Sequence, residues 1–136
     1  MKRLTLILAL ALTTTACATP DKAGVRNPDF FRKVATQTEM VSNRPAAEVA
    51  SCFEERASLL PMSRFATDSA TGRTTYRLRG FGYTFEEIDF DPAPSGARIT
   101  IFIAPNVDDK WRTDFARDRG APLKACAAEG ERKVQP

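Results

Sequence analysis

A largely apolar run of about nine residues, Leu4 to Leu12, follows Met1, Lys2 and Arg3 and leads into Thr13-Thr14-Thr15-Ala16-Cys17. Two positive charges, a short apolar run and a small-residue cleavage region are the three parts of an export signal. A helix needs roughly twenty apolar residues to cross the hydrocarbon core, so this run is expected to be removed as a signal and not kept as a membrane span. Export constrains the fold of the remaining chain, because it carries the thiols into an oxidising compartment where they pair.

The residues at the cut, Thr14-Thr15-Ala16-Cys17, resemble the lipobox of bacterial lipoproteins, in which a small residue precedes the cysteine. Ala16 and Cys17 fit that pattern, and Thr14 stands where the family usually has an aliphatic residue. The resemblance implies that 1–16 are removed and that Cys17 becomes the acylated, palmitate-bearing first residue of a membrane-anchored chain. Three acyl chains at about 0.8 kcal/mol per buried methylene would make such an anchor effectively permanent. Ala18 after the cysteine, in place of aspartate, implies the outer membrane, facing the periplasm. The alternative is a cut at Ala16-Cys17-Ala18 that releases a soluble periplasmic protein beginning at Thr19.

The mature chain is about 120 residues, the size of one domain. The full chain has 20 basic and 17 acidic residues, and removal of Lys2 and Arg3 leaves 18 basic ones, so no nucleic-acid footprint is expected. There is no histidine, which removes the commonest general base and metal ligand. The remaining cysteines, Cys52 and Cys126, are an even pair and are expected to bridge; two free buried thiols or a redox pair are the alternatives, and the latter lacks a CxxC spacing.

Residues 17–37 are punctuated by Pro20, Gly24 and Pro28 and read as a lipidated N-terminus and flexible tether, with Phe30 and Phe31 packing on the domain. The domain is expected over 38–129 and a flexible tail over 130–136. A short β segment at Thr38 to Ser42 precedes a helix that starts at Pro45. There Ala46, Val49, Ala50, Phe53, Ala57 and Leu60 recur at three- and four-residue intervals, and Pro61 is expected to stop the helix.

Four strands come next, near Met62 to Thr67, Thr74 to Arg79, Tyr83 to Phe90 and Arg98 to Ala104, separated by turn residues. In the third, Tyr83 and Phe85 share one parity and Ile88 and Phe90 the other, which calls for a bulge near Glu86-Glu87. A helix carrying Trp111 and Phe115 comes after them, interrupted by Gly120 and Pro122, and a last helix brings Leu123 and Cys126 to the core. The order predicts an α+β two-layer domain: an antiparallel sheet of four to five strands with helices on one face. In element order it loosely resembles the helix-grip and related small folds of envelope lipoproteins.

Chemistry is sparse. Glu86, Glu87, Asp89 and Asp91 could be paired acid and base carboxylates or a calcium site, but they lie along a strand and are expected to pair with Arg77, Arg79 and Arg98. Arg73, Arg77, Arg79 and Arg98 could form a stripe for an anionic partner, though the neighbouring acids oppose its field. Phe81, Tyr83 and Phe102 are nominated as a partner patch. No catalytic residue, metal site or cofactor is expected, and a Ser-His-Asp triad is impossible. The expected function is that of a non-enzymatic envelope lipoprotein whose domain binds a protein or cell-wall component. The alternative is a carrier holding a small apolar ligand between helix and sheet.

Overall fold

The computed structural model describes residues 23–129; the expected signal, Cys17 and the expected tail from 130 lie outside the described residues. Strands β1 (Thr36–Ser42), β2 (Ser63–Thr67), β3 (Thr74–Gly80), β4 (Tyr83–Ala93) and β5 (Gly96–Ile103) are accompanied by helices α1 (Pro28–Val34), α2 (Ala46–Arg56), α3 (Asp109–Phe115) and α4 (Ala121–Ala128). The strands make one antiparallel sheet in the spatial order β1-β5-β4-β3-β2. This is the expected α+β arrangement, with α1 as an addition.

Period-two alternation decides which residues face the helices. Tyr76 of β3, Ile88 of β4 and Ile101 of β5 are cross-strand neighbours, as are Phe90 and Ile99. All five are buried and meet Val49, Ala50 and Phe53 from α2. Phe53 is fully buried, its ring 5.4 Å from Tyr76 and 5.8 Å from Phe90. Burying a ring of that size contributes about 1.5–3 kcal/mol.

Strand β4 changes phase where the sequence parity breaks. Leu78 pairs with Glu86 but Arg79 pairs with Thr84, so Phe85 is the extra residue of a bulge. The bulge lies one residue before the expected position. In consequence Glu86 joins Leu78 and Ile88 on the core face, while Glu87, Asp89 and Asp91 point to the other.

Helix α2 ends at Arg56, short of Pro61, because Ala57 turns to extended backbone and the Ser58 N–H donates to the Asp118 carbonyl at 2.9 Å. That carbonyl is free for a reason. Pro122, four residues on, has no N–H to give it. Gly120 and Pro122 therefore do not interrupt the helical path; a π-helical turn over Ala116–Gly120 carries α3 into α4, and Pro122 sits in the first turn of α4. Cys126 of α4 is bridged to Cys52 of α2, with Cα atoms 5.8 Å apart.

The stretch read as a tether is folded from Ala23 onward. Val25 and Thr84 exchange backbone hydrogen bonds of 2.8 and 2.9 Å. Asn27 caps α1 by accepting from the Asp29 N–H, and Pro28 fits the first turn. Helix α1 lies on the sheet face opposite α2, so the helices are not confined to one face. It is held by Phe31, fully buried against Phe102, Ala104 and Val107, whereas Phe30 is half exposed.

Candidate functional site

The face under α1 carries the acidic cluster, and its chemistry is ionic. Glu87 and Asp89 are buried. Arg32 of α1 reaches over the Phe102 ring and donates to Glu87 at 2.7 Å and to Asp89 at 2.5 and 2.9 Å. Arg77 takes the other Glu87 oxygen at 2.5 Å, Arg73 donates to Asp91 at 2.5 Å, and the Thr75 hydroxyl donates to Asp89 at 2.7 Å. The hydrogen bond to Asp91 pushes the Arg73 guanidinium above its ordinary range. Arg77 pairs as the sequence suggests; Arg79 and Arg98 have no carboxylate partner among the described residues.

Glu86 stands apart, on the core face. It is fully buried and bound in both oxygens by Arg119, at 2.7 and 2.8 Å. The Trp111 indole donates to it at 2.8 Å and the Tyr76 hydroxyl at 3.3 Å. Burial, with the Glu86 charge beside it, pushes the Tyr76 phenol well above its ordinary range. With every oxygen engaged, the group is a structural ion pair. The four acids therefore do not share a site, and among the described residues no cluster of three His, Cys, Asp or Glu could hold a metal ion.

Helix α1 covers β4 and β5 but leaves β3 and β2 open. There a groove of about 650 Å³ is lined by Met62, Arg64, Phe65, Arg73, Arg77 and Arg79, among others. Arg64 and Arg77 are direct cross-strand partners, and Arg79 is two residues further along the same face. Arg64 donates to the carbonyls of Ser63 and Pro61, at 2.7 and 3.4 Å, and meets no carboxylate among the described residues. Near the hairpin end Arg64, Arg77 and Arg79 thus stand against one acid, Glu87. Asp68, at the far end, is occupied by the Ala70 N–H and the Thr71 hydroxyl, which hold its carboxyl below the usual range. The groove runs along β2, an edge strand with one side unpaired.

The three nominated aromatics do not form one patch. Phe81 is 89% exposed at the β3–β4 hairpin, Tyr83 lies beneath the Arg26 guanidinium, and Phe102 is buried under α1. Arg32 and Arg64, which complete the charged face, were not singled out by sequence. The signal for Arg64 was its alternation with Phe65 in β2, while Arg32 lay in the expected tether. Cys52 and Cys126 are brought together; Cys17 is outside the described residues. No protein-family model, no curated protein and no solved structure matches this chain.

Proposed function

We propose that this chain is an outer-membrane lipoprotein, anchored through lipid on Cys17, whose periplasmic domain binds an extended acidic segment of another envelope protein without catalysing a reaction. The observation that carries the binding reading is the coincidence of a free sheet edge, β2, with Arg64 and Arg79, two guanidinium groups that no carboxylate among the described residues neutralises. An added strand would gain main-chain hydrogen bonds from the edge, and its acidic side chains would gain charge-assisted bonds from the arginines. The layer between α2 and the sheet is filled by Val49, Phe53, Tyr76, Phe90 and Ile99. That packing favours a binding face over carriage of an apolar ligand between helix and sheet. Engagement of Glu86, Glu87 and Asp89 in buried ion pairs supports a non-catalytic role.

Titration of the isotope-labelled domain with a hexaglutamate peptide tests the groove. Amide shifts are expected at 63–67 and 73–79, weakening as salt passes about 0.1 M, where the Debye length falls to about 10 Å. They should vanish in Arg64→Ala/Arg79→Ala. Shifts confined to the helices, or unchanged in that variant, would overturn the binding reading. For the anchor, Cys17→Ser should abolish lipid labelling and membrane recovery.

A further inference from the structure

The β3–β4 hairpin presents a phenylalanine where a turn alone would take none. Phe81, between Gly80 and Gly82, has a φ of 52°, in the left-handed region that favours glycine or asparagine. Its ring is 89% exposed. Met62, itself partly exposed, lies against Gly80 so closely that a methyl group added there would overlap its thioether. Phe81 and Met62 thus make an apolar tip. Beside it the Arg26 guanidinium sits 5.4 Å from the Tyr83 ring centre. An exposed ring and thioether next to an arginine is the composition of a contact with a lipid surface, where apolar groups enter the acyl boundary and the guanidinium stays among phosphates.

The chain enters the domain at this same end. Val25 pairs with Thr84, and Gly24 lies against the Phe85 ring and the Tyr83 Cβ. Thr84 is three residues from Phe81, about 10 Å along a strand. From Cys17 to Ala23 the chain takes six residue steps, which reach at most about 21 Å. A lipid on Cys17 would hold Ala23 within that span of the bilayer, with the hairpin end of the sheet beside it.

We propose that the Phe81 and Met62 tip inserts into the lipid surface that anchors Cys17, a second contact that stands the sheet on end with the β2 edge projecting outward. This rests on the proposed lipidation of Cys17, and the two can be tested apart. The mature chain from Cys17, with Cys52 and Cys126 bridged, is coupled through the Cys17 thiol to maleimide-bearing lipid in phosphatidylethanolamine/phosphatidylglycerol vesicles. This reproduces the anchor without cellular processing. In Phe81→Trp, emission above the constant Trp111 background should shift to the blue on coupling. It should be quenched by lipids brominated near the headgroup and protected from aqueous iodide. In Val41→Trp, at the opposite end of the sheet, the added emission should stay open to iodide. An unshifted, iodide-accessible Trp at 81, or equal bromolipid quenching at 81 and 41, overturns the tip contact. The mass of protein extracted from cell membranes, with or without acyl chains on Cys17, decides the anchor separately.

Discussion

Replacing Arg119 by methionine tests what the buried ion pair contributes. Arg119 and Glu86 are both almost wholly shielded from solvent, so the variant leaves a carboxylate in the core with only the Trp111 and Tyr76 donors. Breaking a buried pair from one side costs about 3–5 kcal/mol, because the remaining charge keeps its desolvation penalty. Against a total of about 5–15 kcal/mol, that is a large share of the stability of a domain this size. Urea unfolding with the disulfide intact measures it. The double variant Glu86→Gln/Arg119→Met keeps an acceptor for Trp111 and Tyr76 but removes the charge, and most of the loss should return. A deficit under about 1 kcal/mol, or one that the double variant does not recover, would refute this role for the pair.

Reduction of the Cys52–Cys126 bridge, which spans 74 residues, should cost about 4 kcal/mol on the loop-entropy model, read as a fall in the urea midpoint. Intact-mass analysis under non-reducing conditions should show the chain two hydrogens lighter than its reduced form. Gly96→Ala should destabilise by about 2 kcal/mol or more in the same assay, since Gly96 has a φ of 138° and a Cβ there would run into the Ser42 carbonyl. Tyr76, whose folded pKa is raised above its ordinary 10.0, stabilises the protonated fold below that pH and loses the contribution as pH rises through it. Tyr76→Phe should therefore flatten the alkaline limb of the stability curve, and an unchanged slope above pH 10 would exclude the effect.

Much of this architecture was legible where one periodicity ran without interruption. Ala46, Val49, Ala50 and Phe53 announced α2, and alternation announced β3 and β5. The bridge came from counting thiols in a chain expected to be exported. What was missed lay where a local signal was short or competed with another. Helix α1 buries only Phe31, too little for a periodic pattern, although Asn27-Pro28-Asp29 is a capping sequence. Reading Gly120 and Pro122 as a break hid the π-helical turn that delivers Arg119 to Glu86. The facing of Glu86 depended on whether the bulge fell at residue 85 or one later, and a single step reverses every side chain beyond it. Which arginines meet the acids was not legible, because one of them comes from α1. Arg32, arriving from α1, takes Glu87 and Asp89, and Arg73 takes Asp91.

Strand β1 has one neighbour, β5, and the whole of β2, β3 and β4 separates them in the chain. If the chain crosses into an oxidising compartment N-terminus first, β1 waits unpaired until Ile103 arrives, and Cys52 waits longer for Cys126. Through that interval a thiol at Cys17 would be the nearest partner for Cys52, across a loop shorter and easier to close than the native one. Acylation before the domain assembles would take that competitor away and leave a single way for the remaining thiols to join. With Cys17 lipidated as proposed, the lipid would guard oxidative folding as well as anchor the chain.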